Sequence, residues 1–267
     1  MVVVTGAGSG FGRLVSQRAA ECGAKVVLAD VDEAALHESL SLVQGDAVSQ
    51  LADVTDLNAM QALAARAVDA YGAVDVLVNN AGTMPLAFYA DHESAADAWS
   101  RCIDVNIKGV LHGIMAVYDQ MMAQGRGHVV NLSSIYGNFP VAGAGVYGAT
   151  KAAVNVLSDS LRVESSGRIK VTIVKPTGVP GTNLSGGVIN PEAVVGILGQ
   201  NAASYGAKFQ AMAEGQLDER LTDVENIEYA VLAPEHLADQ IIYAIDQPWG
   251  VSIGDITVRA SGDEYIL

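Results

Sequence analysis

Short β-branched runs alternate along this chain with longer segments whose apolar residues recur every three to four positions. The run 1–5 is followed by Thr5-Gly6-Ala7-Gly8-Ser9-Gly10-Phe11-Gly12, then by Leu14, Val15, Ala19 and Cys22 at helical spacing before Gly23. The same pattern predicts further strands at 25–29, 47–52, 74–78, 128–132, 170–174 and 251–258. It predicts helices at 31–43, 56–71, 95–124, 146–165 and 234–247, with Thr55 as N-cap of the third helix and Asp56 in its first turn. The segment 95–124 reads as one long helix with an adjustment near Gly109 and Gly113.

Strands and helices alternating at these lengths imply an α/β fold, a Rossmann-type doubly wound parallel sheet of about seven strands with helices on both faces. Neither internal repeat nor linker interrupts it, so 1–267 reads as a single domain. The stretch 179–233 carries Pro180, Gly181, Gly186, Gly187 and Pro191, is the least regular, and is expected to form a substrate loop or lid.

In such sheets ligands sit beyond the carboxyl ends of the strands. Asp30, Asp53, Asn79-Asn80-Ala81-Gly82 and Ser134 all fall at predicted strand ends. The glycine turn between strand and helix suits a pyrophosphate, because backbone amides can approach it and the helix N-terminus adds partial positive charge. Asp30 is placed to bind both adenosine ribose hydroxyls. It would also repel a 2′-phosphate by about 4 kcal/mol per unit charge at 4 Å and an effective dielectric near 20. Val31 and Ser9 hold the places where a phosphate-binding base would stand, and Arg13 and Lys25 are expected to face elsewhere. NAD(H) is therefore the expected cofactor.

Tyr147 and Lys151 lie four apart on a predicted helix and share one face. Alone, the pair reads better as ordinary helix surface. A phenol keeps its proton up to a pKa of roughly 10, and an ammonium within about 4–6 Å lowers that value. A drop of about 3 units needs roughly 4 kcal/mol, within reach of a lysine assisted by a cationic nicotinamide. Asn106 stands mid-helix among Ile103, Val105 and Ile107, an apolar setting that implies burial with hydrogen-bond partners.

Half of the 267 residues are hydrophobic, yet no run reaches the roughly 18 residues of a membrane span, and the start has no signal-peptide character. The two cysteines, Cys22 and Cys102, are far apart, which favours reduced thiols in a cytoplasmic protein. A formal net charge of −15 argues against a nucleic-acid partner. The five histidines form no ligand cluster, so no metal is expected.

Taken together, these motifs resemble the short-chain dehydrogenase/reductase family in its shorter branch, over roughly 2–258. Thr5–Gly12 matches the TGxxxGxG turn, Asn79–Gly82 the NNAG motif, and Tyr147 to Lys151 the YxxxK motif. The resemblance implies catalytic roles for Asn106, Ser134, Tyr147 and Lys151. Tyr147 would be the general acid or base, Lys151 would bind the nicotinamide ribose and lower the tyrosine pKa, and Ser134 would position the substrate oxygen. Asn106 would hold a water linking Lys151 to solvent. The cofactor would contact Gly6, Ser9, Gly10, Phe11 and Gly12 in the turn, and Asp30 at the ribose. Asp53 and Val54 would meet the adenine, Asn80, Ala81 and Gly82 the middle, and Pro176, Gly178 and Val179 the carboxamide end. One departure stands out: the family's PGxVxT reads Pro176-Thr177-Gly178-Val179-Pro180-Gly181-Thr182, placing Thr182 one residue late.

The resemblance implies an NAD(H)-dependent oxidoreductase interconverting a secondary alcohol and a ketone, in a homo-oligomer, tetramer or dimer. A finer similarity points to a branch acting on 3-hydroxy acids, small alcohols and related carbonyls. Candidate substrate contacts are Ser134, Met84, Tyr136 and Asn183, with Phe139, Val141, Tyr205 and Phe209 beyond them. No arginine is placed for a substrate carboxylate, which favours an uncharged alcohol or ketone. The alternatives are a non-catalytic dinucleotide-binding interaction protein, an NADP-dependent carbonyl reductase of the same fold, and a lyase or isomerase.

Overall fold

A computed structural model describes residues 1–266. Seven parallel strands lie in the order β3-β2-β1-β4-β5-β6-β7. They are β1 (Val2–Thr5), β2 (Val26–Asp30), β3 (Ala47–Leu51), β4 (Val76–Asn79), β5 (Gly127–Leu132), β6 (Ile169–Pro176) and β7 (Asp255–Val258). Strand order reverses between β1 and β4, so a crevice opens there at the carboxyl edge.

Strand alternation divides the core in two. Val3, Leu77, Val129 and Val171 face one layer, packed on α3 (Leu57–Tyr71), α5 (Gly109–Gln124) and α6 (Gly145–Glu164). Val2, Val4, Val78 and Val130 face the other, packed on α1 (Gly10–Glu21), α2 (Glu33–Leu42) and α9 (Pro234–Ile245). Both faces are covered, which is why the central strands read as apolar runs rather than alternating ones.

Two local expectations are corrected. Asp56, not Thr55, caps α3: its carboxylate accepts from the Asn58 N–H, while Thr55 is bonded to Asp53. The segment 95–124 is α4 (His92–Ile103), a π-helical turn over Asp104–Lys108, and α5. The break falls at Asn106 rather than at Gly109 or Gly113, because Asn106 bonds outside the helix. After β6 come short 3-10 turns, α7 (Val195–Leu198) and α8 (Ala202–Ala213), which buries none of its residues.

Candidate functional site

The loops after β1 and β4 are tied directly together. The Thr5 hydroxyl donates to the Val78 carbonyl and accepts from the N–H groups of Asn80 and Ala81, at 3.1–3.3 Å. The Asn80 amide donates back to the carbonyls of Thr5 and Gly6 at 3.0 and 3.1 Å. This closeness requires glycine at position 6: its φ is +64°, and a Cβ there would lie 2.8 Å from the Ala81 Cα.

From this junction a cleft runs along the carboxyl edge of the sheet. Gly6, Ser9, Gly10, Phe11, Asp30, Asp53, Val54, Asn80, Ala81, Gly82, Tyr147, Lys151, Pro176 and Asn183 line it. At one end the Asp30 carboxylate accepts from the N–H groups of Gly8 (2.8 Å) and Asp32 (3.0 Å), which fixes its side chain toward the turn. Arg13 lies on the outer side of that turn, donating to the Gly8 carbonyl, Ser39 and Glu38, and Lys25 lies over the Tyr71 ring. Asp53 is held below the usual carboxylate range, chiefly by the Thr55 N–H and with a contribution from Arg101.

At the other end Tyr147 and Lys151 are both buried in α6. Lys151 Nζ donates to the Leu132 carbonyl at 2.7 Å and lies 5.7 Å from the Tyr147 ring centroid. Burial brings the Lys151 ammonium down to about 8. Burial likewise pushes the Tyr147 phenol above its ordinary value, and a hydrogen bond with Ser134 recovers only part of that. In the protein alone Tyr147 is therefore held high by desolvation of the phenolate, with Ser134 and not Lys151 supplying the opposing hydrogen bond.

Asn106 is fully buried and satisfied. Its Oδ1 accepts from the Thr83 N–H at 2.9 Å, and its Nδ2 donates to the Thr83 carbonyl (2.9 Å) and to Thr150 Oγ1 (3.1 Å). Thr150 in turn donates to the Tyr147 carbonyl at 2.7 Å. Asn106 thus couples the loop after β4 to the helix carrying Tyr147.

Several expected residues stand off the cleft wall. Gly12 packs under the turn, and Ser134 is buried and hydrogen-bonded to Tyr147. Met84 and Tyr136 pack against Tyr147, Val179 packs on Tyr229, Leu232 and Ala260, and Gly178 abuts Tyr265. Phe139 and Phe209 are 62% and 58% exposed, so as pocket candidates both are corrected to surface residues. Conversely, Thr83, Arg101, Ser133 and Leu184, none of them a motif position, also line the cleft, as does Thr182. Thr182 reaches it despite its one-residue displacement. It packs beside Gly10, whose added Cβ would lie 3.6 Å from it. Its place as the threonine of the altered motif is the signal that points to it.

The model for the short chain dehydrogenase family matches residues 1–192. An uncharacterised oxidoreductase of Staphylococcus saprophyticus is 33% identical over 262 residues, covering 98% of this chain and 96% of the relative. One from Listeria monocytogenes is 33% identical over 268 residues, covering 99% and 98%. A closed form of serine dehydrogenase complexed with NADP+ superposes with a TM-score of 0.78 at 28% identity, covering 99% of this chain and 96% of that one. A short-chain dehydrogenase/reductase from Burkholderia phymatum in complex with NAD gives 0.74 at 29% identity, covering 96% and 87%. The chain belongs to the short-chain dehydrogenase/reductase family. It is an oxidoreductase of that family, whose fold binds a nicotinamide dinucleotide. The glycine cradle and the acid-ended cleft fit such a group.

Proposed function

We propose that the protein interconverts a secondary alcohol and a ketone with NAD(H), using Tyr147 as general acid and base. The observation that carries this reading is one continuous cleft with Asp30 at one end and the buried Tyr147–Lys151 pair at the other. The bound nicotinamide supplies or accepts the hydride. Tyr147 gives its proton to the carbonyl oxygen in reduction and takes the hydroxyl proton in oxidation. Ser134 steadies that oxygen and the phenol together. Lys151, held by the Leu132 carbonyl on the cleft wall, would bind the nicotinamide ribose, and Asn106 keeps the Thr83 loop in register with α6. In the protein alone Tyr147 is held high, so the lowering that base catalysis needs must come with the positive charge of the oxidised cofactor.

NAD(H) is favoured over NADP(H) because the Asp30 carboxylate lines the cleft and no base stands at Ser9 or Val31. The serine dehydrogenase complex with NADP+ keeps the phosphate-bearing cofactor as the second reading. The reading further takes 1–267 as one domain, with 179–233 as the loop covering the substrate. Exposed Ile103, Leu111, Met115, Val156 and Val163 on α4, α5 and α6 support a homo-oligomer, tetramer or dimer. Among the described residues no helix is long and apolar enough to cross a membrane. With two free cysteines, a cytoplasmic setting follows as part of the same proposal.

A panel of neutral secondary alcohols and ketones, run with both cofactors and read at the reduced-nicotinamide absorbance, tests this. Turnover with NAD(H) and a clear kcat/KM preference over NADP(H) is expected. Preference for the phosphate form would refute the role of Asp30. Product formed without net change in that absorbance would favour a lyase or isomerase.

A further inference from the structure

Helix α6 begins weakly, and Tyr147 stands in its first turn. No side chain caps the helix at Ala144, and the first turn holds no acidic residue. Gly145 and Gly148 stand among its opening residues, each less favourable in a helix than alanine by about 1 kcal/mol. Both allow a close approach. A Cβ at 145 would lie 2.6 Å from the Tyr89 hydroxyl, and one at 148 would lie 3.0 Å from the Tyr136 carbonyl. The turn that carries the phenol is therefore not held by its own sequence.

The side chain of Thr150 holds it instead. Its hydroxyl, on a residue 1% exposed, donates to the Tyr147 carbonyl at 2.7 Å and accepts from the Asn106 amide at 3.1 Å. A helical threonine can turn its hydroxyl back onto an earlier carbonyl in this way. Asn106 is in turn bonded to both backbone groups of Thr83, which lines the cleft. One hydroxyl thus joins the cleft loop after β4 to the turn bearing the phenol. The phenol itself is bonded to Ser134 of the loop after β5, so a shift of its backbone is felt at that bond. Farther along the same helix Ser158 repeats the arrangement. Its hydroxyl donates to the Val154 carbonyl at 2.6 Å and accepts from the Asn131 amide at 2.8 Å. There, in mid-helix, neither Tyr147 nor a cleft residue takes part. The two hydroxyls therefore separate support of the helix from placement of the phenol.

We propose that Thr150 is a positioning residue for proton transfer, setting the first turn of α6, and with it the Tyr147 phenol, in register with the Thr83 loop at the cleft. This rests on the reaction proposed above. Thr150 does not line the cleft and acts through the Tyr147 backbone. Proton transfer needs the phenol within hydrogen-bond reach of the substrate oxygen, and a misplacement of about 1 Å can cost about 100-fold in rate. Removing the hydroxyl at constant side-chain shape should therefore lower kcat without weakening the binding of substrate or cofactor.

Thr150→Val removes the hydroxyl, Thr150→Ser keeps it, and Ser158→Ala breaks the matching bond farther along α6. Each variant is followed by NADH fluorescence titration, by steady-state reduction of a ketone that the wild type turns over, and by peptide-resolved amide exchange over 143–151. Thr150→Val is expected to lower kcat and kcat/KM together by about 10- to 100-fold, with KM and NADH affinity within about twofold. Exchange in 145–151 should be faster in that variant. Thr150→Ser should keep kcat within about threefold of the wild type. Ser158→Ala should lower the melting temperature while leaving kcat within about twofold. Thr150→Ala gives the same comparison without the β-branch. Unchanged kcat in Thr150→Val, a loss carried by NADH affinity instead, an equal loss of kcat in Ser158→Ala, or no rescue in Thr150→Ser would overturn the inference. If the wild type turns over no ketone or alcohol, the proposed reaction fails and the exchange data decide alone. Faster exchange in Thr150→Val but not in Ser158→Ala then upholds the register, and equal exchange overturns it.

Discussion

The loops after β1 and β4 and the segment after β6 meet the same carboxyl edge of the sheet, yet they are built differently. The first two are short, lock onto each other through Thr5 and Asn80, and rest on the fully buried residues of the central strands. The segment after β6 is a succession of single turns and an exposed α8, fastened from outside by residues 263–266. The cofactor end is thus defined by backbone geometry, which motifs record. The segment after β6 is held by side chains brought from distant parts of the chain, which motifs do not record.

Substitutions at the two ends should separate accordingly. The largest effect is expected where they join. Lys151→Met should cut kcat by about a thousandfold, since general acid–base chemistry of this kind contributes about 10²–10⁴. The same variant should be more stable. Burial holds the Lys151 ammonium at about 8 against an ordinary 10.5. Between those values the unfolded chain carries a proton that the folded protein has lost, so wild-type stability rises with pH across the window. Below pH 8 both states are protonated and the full cost of the buried ammonium remains, on the order of 3 kcal/mol. Melting curves of both proteins should show the variant ahead at pH 7 and its lead shrinking from pH 8 to 10. A constant or growing lead would contradict the burial argument. Tyr147, held high in both proteins, largely cancels from that comparison.

At the cofactor end, Asp30→Ser should weaken NAD(H) preference over NADP(H) by about 10- to 100-fold, read as the ratio of kcat/KM values. An unchanged ratio would move cofactor selection elsewhere, Arg13 being the nearest base on the turn. The smallest effect belongs to the outer substrate side. Phe139→Ala and Phe209→Ala, both at exposed positions, should each leave stability within about 0.5 kcal/mol and turnover within about twofold. A large loss in either would show that the loop buries these rings in the working enzyme.

Most of the fold was legible because its signals are local. Valine-rich runs, a glycine turn and helical spacing are set by residues within one segment of each other. Asp30, Asp53 and Asn80 were readable for the same reason, each standing where a strand ends. The π-turn at Asn106 was not, since it reflects bonds to Thr83 and Thr150, 23 and 44 residues away. Tyr265 carried no periodicity or motif, and its place depends on Gly178, 87 residues earlier, having no side chain. Phe139 and Phe209 misled in the opposite sense, because hydrophobicity states what a side chain prefers and not whether the loop covers it.

The account turns on Tyr147 moving a proton while the cofactor stays bound in the neighbouring cleft. Tyr147→Phe removes only the hydroxyl, and NADH titration of the variant shows whether the cleft is intact. With an active alcohol or ketone, the reduced-nicotinamide absorbance should then change at least about a thousandfold more slowly than in the wild type, with NADH affinity retained. Turnover close to wild type in that variant would contradict the account.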